Sequence, residues 1–332
     1  MICTLTLDEA RAWFEHLPRE RQIATLSPDY VAIDAKRSSA LHPVFIGYRA
    51  DADIWLHGTH RSEPPNLSVI DQQSPYGYGG PVSNSNDRDF LTLAWAAYLK
   101  KCTDEGILAD FVRLHPTAAD WQPYGGTIVA DRDTVLVDTR GDFRTRYSVR
   151  CRTAVRKAEK AGLTVREEAR SAIPARFADF YRNGMRAIGA DVFYLFNDAY
   201  FAAIKNWDRA HLLVCEKDGV WLSAGLFLFG GNVVEYHLSA TTEDGRRLAA
   251  TNLLLDRVAQ LAQESGLSGL YLGGGTDKSP LNPLLFFKKG FSDQLLCFRI
   301  GFTALQKRAY EELKSQYERQ GLPTSRMLFY RN

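Results

Sequence analysis

Phe287-Lys288-Lys289-Gly290-Phe291 sets a cation between aromatic residues. A lysine held in such surroundings and facing a cleft can stabilise negative charge developing on an oxygen. Standing alone, the same lysine is an ordinary surface residue. Shortly before it comes Gly273-Gly274-Gly275, after an apolar stretch that reads as a buried strand. Bare backbone at a strand's C-terminal end lets a ligand come close, although a tight turn would use the glycines equally well. No Gly-Lys-Ser/Thr follows the triplet and no strand-GxGxxG-helix unit occurs, which argues against a nucleotide loop.

A second cluster is cationic. Arg140, Arg144, Arg146, Arg150, Arg152, Arg156, Lys157 and Lys160 face only Asp142 and Glu159. Arg152 and Arg156 are like charges at i,i+4, and Arg146, Arg150 and Lys157 recur on one helical side. Repelling charges this close make sense beside an anion, so Arg150, Arg156 and Lys157 are candidate phosphate ligands. A solvated helix explains the composition as well. The third cluster is Pro75-Tyr76-Gly77-Tyr78-Gly79-Gly80-Pro81, where Tyr76 and Tyr78 offer rings and hydroxyls and Gly79 offers bare backbone. Seven histidines are dispersed without HExxH, five cysteines without CxxC, and no GxSxG occurs. Metal binding, a disulfide framework and covalent catalysis are therefore not expected.

The elements that must position these residues alternate in type. Asp8–Leu17 reads as a helix, Val44–Tyr48 and Ile54–His57 as a strand pair, and Leu67–Ile70 as a short strand. A helix over Asp87–Asp104 and strands at Phe111–Leu114 and Thr134–Val137 complete a first lobe, residues 1–140. The second lobe, 141–302, opens with the basic helix, Phe143–Ala161, and a strand at Leu163–Arg166. Helices near Ile173–Ile188 and Asp198–Trp207 follow. Next come strands His211–Glu216, Val220–Phe229 and Val233–Ala240, joined by Lys217-Asp218-Gly219 and Gly230-Gly231-Asn232. A long helix, Gly245–Ser265, leads to a strand at Gly269–Leu272, and another strand runs from Cys297 to Ile300. The last segment, 303–332, reads as a helix (Thr303–Arg319) and a strand (Arg326–Tyr330), able to pack back on the first lobe. The fold class is α/β with mixed sheets.

Bulk properties agree. At 332 residues the chain suits about two domains. A net charge of +2 argues against a DNA-binding protein and leaves anion binding to local clusters. The first residues lack a basic region followed by an apolar one, and the run Val220–Phe229 is too short to span a bilayer. The expectation is a cytoplasmic protein, with contact to a membrane surface left open. Nothing in the sequence sets an oligomeric state.

Four motifs in order, Pro75 to Pro81, Arg156-Lys157-Ala158-Glu159-Lys160-Ala161-Gly162-Leu163-Thr164-Val165, Tyr271-Leu272-Gly273-Gly274-Gly275 and Phe287 to Phe291, resemble FemAB-type proteins. These are relatives of the enzymes that build peptidoglycan interpeptide bridges, within the GNAT acyltransferase superfamily. The resemblance covers residues 70 to 300. It implies two GNAT-like lobes in tandem and transfer of an acyl or aminoacyl group to an amine of a cell-envelope precursor. It further implies no permanently bound cofactor, acyl-CoA or aminoacyl-tRNA as co-substrate, and an anionic small-molecule or lipid-linked acceptor.

By the same resemblance, Lys288 handles the reacting carbonyl or a substrate phosphate, and Tyr236 positions substrate or relays a proton. Gly273, Gly274 and Phe287 then wall the site, and Arg186 approximates a phosphate-contacting arginine. Glu235 and His237 are weaker candidates for the base. Two departures bear on the donor. No long charged helical arm interrupts residues 160 to 300, which counts against aminoacyl-tRNA. Arg246-Arg247-Leu248-Ala249-Ala250-Thr251 stands where acyl-CoA users carry Arg/Gln-x-x-Gly-x-Gly/Ala, without the glycine. Two other readings stay open: an N-acyltransferase acting on an amino sugar in surface-polysaccharide synthesis, and a non-catalytic anion- or nucleic-acid-binding protein on the same scaffold.

Overall fold

In the computed structural model, which describes residues 1–65 and 67–331, the chain opens with β1 (Ile2–Leu5), α1 (Leu7–Glu15) and α2 (Pro28–Asp34). Then come β2 (His42–Ala50), β3 (Asp53–Ser62), β4 (Ile70–Gln73), β5 (Val82–Ser83), α3 (Arg88–Asp104) and β6 (Ile107–Leu114). Within β7 (Thr127–Asp138) the chain passes into a second unit. That unit continues with α4 (Val149–Lys160), β8 (Thr164–Glu168), α5 (Ala178–Ala187), α6 (Asp198–Ile204), β9 (Ala210–Lys217), β10 (Val220–Gly230) and β11 (Val233–Thr241). After α7 (Glu243–Arg247), α8 (Ala250–Glu264), β12 (Gly269–Gly274) and α9 (Pro283–Lys288), the chain returns within β13 (Leu295–Ala304) and ends with α10 (Lys307–Arg319). The first unit is Met1–Asp131 with Phe298–Asn332, and the second is Arg132–Cys297.

Strand order in the first unit is β1-β2-β3-β4-β6-β13. All of these pairs are antiparallel except β4 with β6. Phe90, Ala94, Tyr98 and Cys102, spaced along one face of α3, bury with Ile46, Trp55, Ile107 and Leu305. In the second unit the order is β7-β12-β11-β10-β9-β8. Only β11 and β12 run parallel there, and α8 makes the crossover between them. The two hairpin turns carry positive φ at Asp218, Gly219 and Gly231, as tight turns of this hand require. Leu253, Leu254, Val258, Ala259 and Ala262 of α8 fill the core against Leu213, Phe227, Val234 and Leu270.

Several elements differ from the sequence expectation. The basic helix begins later, at Val149, because Ser148 caps it by accepting from Cys151 N, and Phe143–Arg146 is a separate 3-10 turn. The expected helix Gly245–Ser265 is two helices, broken at Ala249 with φ 59°. Helix Thr303–Arg319 starts at Lys307, because Thr303 and Ala304 still pair with Asp110 and Ala109 of β6.

The expected strand Arg326–Tyr330 is instead irregular chain ending in a 3-10 turn, Phe329–Arg331. Phe329 and Tyr330 are both buried, which a strand with alternating faces does not allow on a one-sided surface. Arg331 anchors the turn by pairing with the buried Asp71 and donating to Ser62 O at 3.0 Å.

Candidate active site

The parallel pair β11–β12 holds register for only three residue pairs, ending at Glu235 and Tyr271. Beyond that point the strands part. Tyr236 is the first residue past the split on β11. On β12 a register shift follows Tyr271, with Gly273 at φ 72°, before Gly274. Two parted parallel strands leave backbone groups without ladder partners, and such points are where open α/β sheets take ligands.

Lys288 fills part of that split. It is the last residue of α9, whose start is fixed by Pro283 and by Asn282 accepting from Leu284 N and Leu285 N. Its side chain is buried, and Nζ donates to Gly274 O at 2.7 Å. Nζ also lies 6.0 Å from the Tyr236 ring centroid. Burial lowers its pKa to about 7, so the amine is divided between charged and neutral forms near neutral pH. Tyr236 stacks on Phe227 at 5.4 Å, and its hydroxyl pairs with Ser239. Burial raises its pKa, which keeps the phenol protonated.

Tyr236 lines a cavity of about 500 Å³ within the second unit. One wall is Gly184 and Met185 of α5, with Ile188 just after it. Leu284 and Phe287 of α9 form another, and Ser239 and Thr241 continue β11. The far end is Gly245, Arg246, Ala249, Thr251 and Asn252. Two hydrogen-bonded threonines, Thr241 and Thr251 at 2.6 Å, tie the end of β11 to the first turn of α8. No side chain caps that helix, and its N-cap Ala249 is left-handed. A 15-residue helix with an uncapped N-terminus presents amides and a positive dipole end to the cavity. Ala249 occupies the place of the glycine that Arg246–Thr251 lacks, and it adopts the backbone conformation for which glycine would be chosen. Ala249→Gly is therefore expected to keep the loop and stabilise the fold by about 0.5 kcal/mol, relief of left-handed strain exceeding the entropic cost of glycine. Urea denaturation of the two proteins measures it.

The sequence candidates are distributed as follows. Lys288, Gly274 and Tyr236 lie at the split with Gly273 beside them, and Phe287 lines the cavity with Tyr236. Arg186, next to the cavity residue Met185, is exposed and donates to Asn183 Oδ1 at 3.3 Å. Arg150 lies over the Phe286 ring at 3.9 Å and donates to Phe286 O. Lys157 donates to Arg247 O at 2.7 Å, at the C-terminal end of α7. Arg156 lines a smaller recess of about 160 Å³ with Arg144, Tyr147 and Asp256. The three α4 cations therefore point to three places rather than at one anion.

Tyr76, Tyr78 and Gly79 belong to the first unit. The Tyr76 amide donates to Asp34 Oδ2 at 2.8 Å, and Tyr78 packs edge-on against His115. Gly79 N donates to Arg113 O at 2.8 Å, extending the parallel run beside β6. A Cβ at Gly79 would meet Ser74 Cβ at 2.7 Å, so this glycine serves close packing. His237 pairs with the Tyr200 hydroxyl at 2.6 Å, and Glu235 is buried.

The sequence reading missed Ser239, Thr241, Asn252 and Met185, and named Thr251 only as the end of the Arg246–Thr251 segment. The available signal was the hydroxyl-rich run Ser239-Ala240-Thr241-Thr242 between an apolar strand and a helix. Among the described residues no group of three or more His, Cys, Asp or Glu is arranged to hold a metal ion.

Residues 144–283 match the family model described as acetyltransferase (GNAT) domain. No curated protein matches in sequence. Among solved structures, FemX superposes with a TM-score of 0.72 at 14% identity, over 94% of this chain and 99% of that one. The C-terminal domain of a putative lysylphosphatidylglycerol synthetase from Agrobacterium fabrum gives 0.58 at 14% identity, covering 94% and 97%. L-PGS from Bacillus licheniformis gives 0.58 at 13%, covering 90% and 91%. The chain thus has a FemX-like fold, and within it residues 144–283 match the acetyltransferase (GNAT) domain.

Proposed function

We propose that the protein is an N-acyltransferase that takes its acyl group from an acyl-CoA thioester and delivers it to an amine of a cell-envelope precursor. The observation that carries the donor is the uncapped start of α8, with Ala249 in the glycine conformation and Arg246 beside it, all facing the 500 Å³ cavity. Amides at a helix N-terminus suit a pyrophosphate. The GNAT match spans this segment. Among the described residues of the second unit the longest helix is α8, at 15 residues, so the long helical arm associated with aminoacyl-tRNA is missing. The envelope theme rests on the sequence resemblance and on a fold neighbour named as a putative lysylphosphatidylglycerol synthetase.

The reaction forms a C–N bond as the C–S bond breaks, with one proton leaving the amine and one reaching the thiolate. Lys288, neutral in part near pH 7, accepts the amine's proton through the split, and protonated Tyr236 donates toward the leaving sulfur. Transfer then rises with pH through about 7, as Lys288 loses its proton.

The test is thermal denaturation with acetyl-CoA, longer acyl-CoA thioesters, and aminoacyl-tRNA. A thioester at a hundred times its Kd stabilises by about 2.7 kcal/mol, a shift of several degrees. Arg246→Ala should reduce it. Stabilisation by aminoacyl-tRNA with none by any thioester would overturn the donor assignment.

A further inference from the structure

Three apolar side chains of the second unit stand largely in water on two neighbouring elements, with a fourth partly exposed between them. Leu281 is 86% exposed, Phe286 60% and Leu284 39%, all in or just before α9, and Val149 is 72% exposed in the first turn of α4. Ser148 N donates to Gly290 O at 2.9 Å and Arg150 reaches Phe286 O at 3.0 Å, so the two elements abut. A single exposed apolar residue needs no explanation, but several on adjoining turns do.

What covers them is indicated by charge and by area. Arg150 lies over the Phe286 ring at 3.9 Å, which fixes a guanidinium beside the apolar tips. Lys289 is exposed immediately after α9. The first turn of α4 carries no acidic residue. Four side chains fall well short of the roughly 800 Å² per partner of a stable protein interface. Aliphatic and aromatic tips with Arg150 and Lys289 at their base fit the boundary between the headgroups and acyl chains of an anionic bilayer. The face is also continuous with the cavity, because Leu284 lines it.

We propose that this face docks peripherally on an anionic phospholipid surface. Leu281 and Phe286 enter the acyl boundary, while Arg150 and Lys289 meet headgroup phosphates. The mouth of the cavity then opens at the membrane, where an amphiphilic amine is met without leaving the lipid. The docking does not depend on the transfer reaction, and a protein without acyltransferase activity would still show it.

Sedimentation with vesicles of phosphatidylcholine, with and without phosphatidylglycerol, tests it. The native protein should bind the anionic vesicles about tenfold or more tighter than neutral ones, and less tightly as salt rises. The double variant Leu281→Ser/Phe286→Ser, with both positions on the surface, should lose about tenfold or more in vesicle affinity at an unchanged melting temperature. Arg150→Gln should lose most of the preference for phosphatidylglycerol. Leu93→Ser, which removes a 59% exposed leucine from the first unit, should change nothing. The proposal is overturned if the native protein fails to sediment with anionic vesicles, or if the double variant binds as well as the native protein. It is also overturned if the double variant abolishes a dimer seen by sedimentation velocity while vesicle binding persists, which would make a second copy the occupant.

Discussion

Lys288→Met is expected to abolish transfer and at the same time stabilise the protein. The two effects share one cause. Lys288 is buried at the β11–β12 split with its pKa lowered from 10.5 to about 7, so folding at neutral pH forces a proton off the amine or buries its charge. Below about 7 the folded and unfolded states both hold the proton, and this group's contribution to stability is at its minimum. Between about 7 and 10.5 the unfolded chain binds more protons, so stability rises with pH by up to about 1.4 kcal/mol per unit. Above 10.5 the gain is complete.

Methionine has nearly the same length and no charge. Allowing about 1 kcal/mol for the lost bond to Gly274 O, the variant should be more stable at pH 7 by roughly 3 kcal/mol or slightly more. It should also lack the rise between pH 7 and 10. Urea denaturation across that range checks both points. CoA release in the presence of acceptor should fall by a factor of roughly 100 or more, the usual range for removing a general base. A variant that is inactive but no more stable would show that the lysine is charged and well paired in the fold, contrary to its surroundings.

Gly245→Ala should be the most damaging single methyl group in the second unit. A Cβ there would sit 2.1 Å from Leu222 O and 2.9 Å from Leu222 C. That carbonyl is not free to retreat, because it accepts from Thr242 N at 2.9 Å and Thr242 Oγ1 at 3.3 Å. Relief requires moving α7 away from β10, which opens the end of the cavity where Gly245, Arg246 and Ala249 stand. The expected loss is about 3 kcal/mol or more, together with loss of thioester-induced stabilisation. Gly162→Ala provides the contrast. Its Cβ would meet nothing within 4 Å, so only the φ of 78° is strained, costing about 1 kcal/mol. Equal losses in the two variants would mean that α7 is held loosely.

Local chemistry made much of this legible in the sequence. Asp218-Gly219 and Gly231 announce tight hairpins, and the leucines of α8 announce a core helix, because turn geometry and periodic burial act over a few residues. The break at Ala249 was hidden, since alanine is the best helix former and no local residue type marks its φ of 59°. The cations of α4 read as a single anion site because repulsion shows in sequence while partners do not. Phe286 and the Arg247 carbonyl, which occupy Arg150 and Lys157, lie far away along the chain. Lys288 stood out by motif, yet its burial, which gives it its chemistry, follows from the cap at Asn282 and the parting of β11 from β12. The tail failed as a strand because a side-chain pair, Arg331 with Asp71, replaced a backbone ladder.

The first unit is assembled from both ends of the chain, and this has a consequence during synthesis. When β6 emerges from the ribosome, its antiparallel partner β13 lies about 190 residues further on, a wait of roughly 10–40 s at ordinary elongation rates. The second unit has all its strands before β13 is finished, and it can fold in that interval. Meanwhile the β13-facing edge of β6, a strand with Val112 and Leu114 buried in the finished protein, is left open to other chains. The order of translation thus makes the first unit the last to mature, and its waiting edge is the part of the newborn protein most in need of a chaperone.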